Sequence, residues 1–161
     1  MRSALLVLIG VLVGGVGGFA VGIGVFPYLF PPPEVNEPLV AKSDTDVVAR
    51  ATFIHANPAD PIHYGEGSAT IYADLVRLEP DFKVGPGPKF HVYLVPDADV
   101  TPETEVEATM FVDLGRLKSF SGSQNYAIPA GLDPRAFGSV VIWCEQFNVL
   151  ISPARITAAE S

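Results

Sequence analysis

Cysteine and tryptophan are nearly absent from this sequence, which has one of each, Cys144 and Trp143, side by side. A single cysteine cannot form a disulfide within the chain, so the fold depends on a hydrophobic core. Nucleophile elbows, P-loops, dinucleotide-binding turns and HExxH zinc motifs are missing as well. The sequence therefore lacks the common signatures of hydrolases, nucleotide-binding proteins and zinc peptidases.

Basic residues are also scarce, with ten lysines and arginines against eighteen acidic residues. Arg2 precedes the first apolar segment, and the other nine basic residues and all eighteen acidic ones follow it. The region from Pro31 onward thus has a net charge of about −9. Because such a surface repels phosphate backbones, we expect no nucleic-acid partner.

Charge is absent altogether from residues 4–26, a run of 23 apolar or small residues. As a helix this run spans roughly 34 Å, enough to cross a bilayer with some tilt. A cleaved signal peptide has a shorter apolar core and a small-residue cleavage site, whereas aromatic residues typical of a membrane interface follow this run. We predict that residues 1–30 are an uncleaved transmembrane anchor whose partner is the lipid bilayer.

The flanking charges indicate the orientation of this anchor. Arg2 lies on a very short N-terminal tail, and Glu34 and Glu37 follow the apolar run. Positive charge favours the cytoplasmic side. We therefore expect a single-pass protein of the cell membrane with a cytoplasmic N-terminus and a periplasmic or extracellular C-terminal domain.

Glycine recurs at every fourth position of the apolar run, at Gly10, Gly14, Gly18 and Gly22. In a helix these positions form one smooth ridge on which a second helix can pack closely. The pattern predicts helix–helix self-association. The alternative is that a membrane anchor simply tolerates glycine.

Proline-rich sequence follows the anchor and separates it from the remainder of the chain. The segment PPPEVNEP favours neither helix nor central strand, so we predict a semi-rigid spacer over residues 31–44 and a domain over 45–161. In that domain, short apolar stretches alternate with turn residues, and single helical turns are expected near Thr101 and Asp133. The predicted fold is all-β, a sandwich or barrel of about eight to nine short antiparallel strands. The strand candidates are residues 47–54, 68–73, 75–78, 90–94, 110–117, 126–128, 139–151 and 154–158.

The stretch SVVIWCEQFNVLI contains the cysteine and reads as a central strand with two apolar faces. Alternation places Val140, Ile142 and Cys144 on one face, with Val141 and Trp143 on the other. The polar pair after Cys144 predicts a bulge or a tight reversal, which would put the thiol at a strand end. The thiol is then either a reachable redox group or a small buried hydrophobe.

Three histidines are the other candidates for site chemistry: His55, His63 and His91. Together with Cys144 they offer the ligand types that copper and zinc prefer. Their separations of 8 and 28 residues match no metal motif. We therefore keep the histidines as weak metal candidates, and we expect no cofactor.

Five motifs in order resemble the DM-thirteen domain family, also called the electron-transfer DM domain: HYGEGSATIY, VGPGPKFHVYL, VDLGRLKS, GSQNYAIP and SVVIWCEQFNVLISPARI. The resemblance covers about residues 45–157. It implies an all-β fold, an electron-transfer or thiol-redox role, and a redox function for Cys144. This sequence contains no haem-binding partner domain of the kind found in animal members, so the resemblance implies a separate, unknown redox partner protein.

Two functional hypotheses follow. The first is a membrane-tethered extracytoplasmic module for thiol redox or electron transfer that uses Cys144. The second is a non-catalytic extracytoplasmic binding or envelope-structural domain in which Cys144 is buried in the core. In both, the protein is a transfer or binding module rather than a turnover enzyme.

Overall fold

The computed structural model describes residues 2–39, 42–43 and 46–159. The chain divides between Pro32 and Pro33 into two compact units. The first unit contains one helix, α1 (Arg2–Leu29), which includes the whole apolar run. By length and composition alone, with a mean hydropathy of 2.5, this helix is sufficient to span a membrane.

Over its described residues, the second unit contains ten β-strands, and 3-10 turns form at Val106–Ala108 and Pro134–Ala136. Their bounds are β1 (Val47–Phe53), β2 (Gly65–Glu66), β3 (Ser68–Tyr72), β4 (Leu75–Leu78), β5 (Lys83–Val84), β6 (Phe90–Val95), β7 (Val112–Arg116), β8 (Gln124–Ala127), β9 (Ser139–Cys144) and β10 (Val149–Ala158).

Eight of these strands form one antiparallel sheet in the order β7-β6-β9-β10-β1-β3-β4-β8. The two edge strands, β7 and β8, approach each other, so the sheet is a nearly closed barrel. Strands β2 and β5 form a separate two-stranded sheet. The predicted fold, an all-β sandwich or barrel after one apolar helix, is confirmed.

Strand β9 is buried along its whole length, as its β-branched and aromatic composition predicts. Val140, Ile142 and Cys144 belong to the main core, whereas Val141 and Trp143 belong to a second cluster on the opposite face. The second cluster is completed from β6, β10 and the segment that precedes β7; its other buried members are Tyr93, Val95, Val100, Val106 and Leu150. The predicted division of the strand into two apolar faces is confirmed.

The polar pair after Cys144 marks a tight reversal, one of the two predicted alternatives. Strand β9 ends at Cys144, which pairs directly with Val149 of β10. Asn148 completes the turn at φ = 49°, a left-handed conformation that asparagine tolerates better than most residues. The stretch 139–151 is therefore a hairpin rather than one strand, and β10 continues through the separately predicted strand at 154–158.

The two predicted helical turns differ in accuracy. Asp133 caps a 3-10 turn at Pro134–Ala136, and its carboxylate accepts a hydrogen bond from the Arg135 amide at 3.0 Å. The other turn forms at Val106–Ala108, a few residues after the predicted site at Thr101. The turn at Asp133 could be predicted because its cap and the proline that follows it are adjacent in the sequence. The turn at Val106 depends on the packing of Val106 in the second apolar cluster, which involves residues distant in the sequence.

The segment after the first prolines lies along the edge strand β8. The amides of Val35 and Glu37 donate to the carbonyl oxygens of Ser121 and Ser123. The Glu37 carboxylate accepts hydrogen bonds from the Lys118 ammonium at 2.8 Å and from the Asn125 amide at 2.7 Å. Residues 33–38 belong to the predicted semi-rigid spacer, and in the structure they hydrogen-bond to the edge of the sheet and lie in the second unit.

Gly122 allows this close approach. Its φ of 87° is in the left-handed region, and a Cβ atom there would collide with the carbonyl oxygen of Val35. Glycine alone meets both requirements at low cost. The turn GSQ in the sequence is thus the place where the segment 33–38 joins the domain surface.

Candidate functional site

Cys144 is the last residue of β9, and its side chain lies in the main core. Only 1% of the residue is exposed to solvent. The thiol donates a hydrogen bond to the carbonyl oxygen of Pro88 at 3.3 Å. The sulfur is therefore at a strand end, as predicted, but it is covered in the structure, so a redox role requires a movement that exposes it.

Next to the sulfur lies the short loop 86–89, which leads into β6 and accepts the hydrogen bond of the thiol at Pro88. Lys89 has a left-handed φ of 47°, and its carbonyl accepts from the Glu145 amide at 3.2 Å. Gly87 lies so close to the Phe90 ring that a Cβ atom would overlap it. The GPGP sequence therefore acts as a tight cover on the end of β9, not as a phosphate-binding loop, consistent with the missing amide protons of its prolines.

On the opposite face of β9, Trp143 is 5% exposed, which confirms the predicted large buried ring. A groove of about 490 Å³ lies beside the indole and is lined by residues 102–108 and Asn148. The indole Nε1 is buried and has no hydrogen-bond partner among the described residues. The groove is therefore lined by the indole of Trp143 and by three acidic residues of the segment 102–108, Glu103, Glu105 and Glu107.

His91 lies on the same face as Trp143, its direct partner across the β6–β9 pair. Its Nδ1 is 3.0 Å from a carboxylate oxygen of Asp113, and its Nε2 is 3.4 Å from one of Glu145. The ligand atoms of the three side chains all lie within 4.8 Å of one another. Three separate parts of the chain, β6, β7 and the turn after β9, thus bring an imidazole and two carboxylates together.

Tyr93 connects this cluster to the second apolar core. Its hydroxyl donates to Glu145 at 3.0 Å, and its ring stacks on Phe111 with centroids 4.4 Å apart. Burial raises the pKa of the Tyr93 phenol, and the hydrogen bond and negative charge of Glu145 raise the same pKa further. The phenol is therefore a donor to Glu145 over the whole physiological pH range.

The other two histidines lie elsewhere, in the loop between β1 and β2. His55 Nε2 is 2.7 Å from the carbonyl oxygen of Asp60, and His63 Nδ1 is 2.6 Å from its carboxylate. The hydrogen bond from His63, together with those from the amides of Ile62 and His63, lowers the pKa of Asp60 to about 2. These two histidines organise a loop around one aspartate.

The considered site of three histidines with Cys144 is therefore not formed. His55 and His63 share a loop, His91 is in a different cluster, and Cys144 faces the opposite side of the sheet from His91. Sequence reasoning missed Asp113 and Glu145, because their proximity to His91 depends on strand pairing. The alternation of His91 with Val92 in β6 was the one available signal, since it places the imidazole away from the main core.

Comparison with known proteins adds one match. The family model described as electron transfer DM13 matches residues 59–156, more than half of the chain. No curated protein matches significantly. No solved structure matches significantly either.

Proposed function

The chain belongs to the electron transfer DM13 family, and from this premise we propose that it is a membrane-tethered extracytoplasmic redox module with Cys144 as its redox group. The observation that carries the proposal is the position of the thiol. Cys144 ends the central strand β9 and contacts the backbone of the short loop 86–89. A thiol in the middle of β9 would require the sheet to open, whereas this one requires the loop to move.

Few polar contacts between the loop and the end of β9 oppose such a movement. They are the 3.3 Å hydrogen bond from the thiol to Pro88 and the 3.2 Å bond from the Glu145 amide to Lys89. The amide bond is at the long end of its range and the thiol is a weak donor, so each contributes on the order of 1 kcal/mol or less. Local opening of a loop costs less than global unfolding. The proposal is that a redox partner reaches the sulfur through this opening.

The chemistry follows from there being one thiol in the chain. In the exposed state, the Cys144 thiolate attacks one sulfur of a partner protein's disulfide. A mixed disulfide forms, the partner's sulfur–sulfur bond breaks, and the other partner sulfur leaves as a thiolate that takes up a proton. The Cys144 sulfur supplies the electron pair of the new bond and is oxidised from −2 to −1, while the leaving sulfur keeps the pair of the broken bond and is reduced from −1 to −2. Attack of a partner thiol on the mixed disulfide reverses the step and regenerates Cys144.

Tethering is proposed from the first unit. Helix α1 is long and apolar enough to span a bilayer, and Arg2 is its one flanking basic residue on the N-terminal side. Because positive charge favours the cytoplasmic side, Arg2 at the N-terminal end of the helix favours the extracytoplasmic side for the domain. A separate partner protein is required, because the chain has no second cysteine with which Cys144 could form an internal disulfide.

A second function is favoured by the burial of the thiol. Cys144 is 1% exposed and packs among apolar core residues, as most structural cysteines do. In this case the protein is a non-catalytic binding or envelope-structural domain. The two functions differ in what the thiol of the folded protein does with an oxidant.

The deciding experiment uses the full-length protein in membranes, treated with a small aromatic disulfide and analysed on non-reducing gels and by intact mass. The redox proposal predicts a mixed disulfide on the folded wild type that Cys144→Ser abolishes. Serine offers a hydroxyl to the Pro88 carbonyl and keeps the volume nearly constant, so this variant should fold. If the folded wild type remains unmodified while the urea-unfolded protein reacts, Cys144 is structural.

A further inference from the structure

We propose that His91, Asp113 and Glu145 bind a divalent first-row transition-metal ion. The three side chains come from β6, β7 and the residue after β9, and their ligand atoms all lie within 4.8 Å of one another. One imidazole and two carboxylates supply one nitrogen and two oxygen ligands. The remaining coordination positions are open to water, because Asp113 and Glu145 are exposed.

The cluster carries negative charge that no nearby lysine or arginine of the described residues pairs with. Two carboxylates flank one imidazole, and among the described residues the ion pairs of Asp113 and Glu145 involve His91 alone. No lysine or arginine of the described chain neutralises either carboxylate at ion-pair distance. The cluster therefore retains at least one net negative charge even when His91 is protonated. A bound divalent cation would neutralise it.

Each of the two carboxylates is held in place by a hydrogen bond to one of its own oxygens. The Tyr93 hydroxyl donates to Oε1 of Glu145 at 3.0 Å, and the Gly115 amide donates to Oδ1 of Asp113 at 2.8 Å. Oδ2 of Asp113 lies 3.0 Å from Nδ1 of His91, and Oε2 of Glu145 lies 3.4 Å from Nε2. A metal ion coordinates one ring nitrogen, so the carboxylate at the other nitrogen must turn toward the ion to ligate it. Donors that fix the orientation of ligating carboxylates are a common feature of metal sites.

The backbone of β7 is shaped for this arrangement. The register between β6 and β7 shifts next to Tyr93, which is the signature of a β-bulge. Gly115, at φ = 121°, provides the bulged conformation and the amide that binds Asp113. A bulge re-aims side chains along a strand, and here it puts Asp113 opposite Tyr93 and beside His91.

The ligand set selects the class of metal. Calcium and magnesium prefer oxygen ligands alone, whereas imidazole with carboxylates suits zinc, copper, iron and manganese. Affinity in such sites rises from manganese to copper, with zinc below copper. Zinc is the suitable first probe because it has no redox chemistry of its own and does not oxidise Cys144.

The alternative occupant of the site is a proton. With both ring nitrogens protonated, His91 would bridge the two carboxylates as an imidazolium, and the cluster would be a structural ion-pair network. A metal ion and the second proton compete for the same ring nitrogen, so the two occupants exclude each other. The titratable and charged groups around His91 are Asp113, Glu145, the phenol of Tyr93, whose ring contacts the imidazole, and Arg116, the cross-strand partner of His91 in β7.

The test is calorimetric titration of the full-length protein in detergent with zinc chloride. We expect one ion per chain and a loss of affinity on the order of 10- to 100-fold in both Asp113→Asn and Glu145→Gln. His63→Gln is the matched control, because His63 also contacts an aspartate but lies in another loop. The affinity of His63→Gln for zinc should equal that of the wild type. Cys144→Ser should also bind zinc as the wild type does, which separates this proposal from the redox function.

Cobalt binding supplies a second measurement that does not depend on the heat of binding. Its absorption bands in the visible region report coordination by the protein, and they should be present in the wild type and reduced in Asp113→Asn. Circular dichroism checks that both variants fold. The proposal is overturned if the wild type binds zinc more weakly than about 1 mM, if the folded ligand variants bind as well as the wild type, or if only His63→Gln loses affinity.

Discussion

Two adjacent residues, Trp143 and Cys144, face opposite sides of the same strand and have different contacts. The indole packs in the second apolar cluster with Tyr93 and Leu150. The thiol packs in the main core and contacts the Pro88 carbonyl. At this scale the fold depends on the first residue and the proposed redox function on the second.

Replacement of Trp143 should strongly destabilise the domain. Trp143→Ala removes a buried ring from the second cluster and leaves a cavity beside the groove, so we expect a loss of roughly 3–5 kcal/mol in the free energy of unfolding. Urea denaturation followed by circular dichroism measures it, because the variant lacks the fluorescent residue. Phe147→Ala, at a position 66% exposed in the same hairpin, is the control and should cost less than about 1 kcal/mol. Equal losses in both variants would contradict the assignment.

The sequence predicted which way each residue of β9 faces, because alternation is a local property of an extended chain. It left open whether Cys144 is reachable or buried, because the loop 86–89 that contacts the thiol is more than fifty residues away in the chain. It also did not predict the partners of His91. Asp113 and Glu145 become neighbours of that imidazole only when β7 and β9 pair with β6 on either side.

At the scale of elements, the segment 33–38 completes the edge of the sheet at β8. Partial burial opposes the ionisation of Glu37, but the hydrogen bonds from Lys118 and the Asn125 amide outweigh it and lower its pKa. The charged form of Glu37 therefore binds the domain better than the neutral form. Its contribution is fully present above the ordinary pKa of 4.5 and is lost as pH falls through the lowered value.

Glu37→Gln should release this segment. We expect faster amide hydrogen exchange at Glu37 and Asn125 at neutral pH, because the variant loses the ion pair with Lys118 and weakens the acceptor of the Asn125 amide. Exchange in the wild type should approach that of the variant as the pH is lowered toward 3. Glu34→Gln, an exposed position in the same segment, should leave both rates unchanged. Unchanged protection in Glu37→Gln would mean that the backbone bonds alone hold the segment.

A second element-scale prediction concerns the loop between β1 and β2. The pKa of Asp60 is lowered from 3.8 to about 2, chiefly by the hydrogen bond from His63. The stabilisation that this carboxylate provides is therefore present above pH 3.8 and is lost as pH falls toward 2. The unfolding temperature of Asp60→Asn should fall less steeply between pH 4 and pH 2 than the unfolding temperature of the wild type. Asp97→Asn, which changes an exposed aspartate, is the control and should show the same pH dependence as the wild type. The same pH dependence in Asp60→Asn would contradict a stabilising role for the Asp60 carboxylate.

Element types were readable from the sequence, and their partners were not. The first strand, the pair 68–73 and 75–78, and the Asp133 cap are specified by nearby residues and occur close to where they were expected. The docking of 33–38 could not be read, because a proline-rich segment has the same composition whether it is free or bound to a sheet edge. Its binding depends on Gly122 and Lys118, which lie far along the chain.

At the scale of the whole molecule, the glycine ridge of α1 predicts self-association in a membrane. Cβ atoms at Gly14 and Gly18 meet nothing within 4 Å in the structure, so isoleucine at both positions fits the helix itself but roughens its surface. We expect Gly14→Ile with Gly18→Ile to weaken dimerisation in a bilayer two-hybrid assay, because the helices can no longer approach closely. Gly24→Ile, off the ridge, is the control. Equal effects of the two changes would mean that the glycines serve flexibility rather than packing.

The most direct test of the central claim is the rate at which Cys144 reacts with a maleimide in the folded, membrane-bound protein. If the loop 86–89 opens locally, labelling should be faster than global unfolding allows and should depend little on urea at low concentrations, because local opening exposes little surface. Labelling that occurs only at the rate and with the urea dependence of global unfolding would contradict the account, since Cys144 would then be inaccessible to any partner of the folded protein.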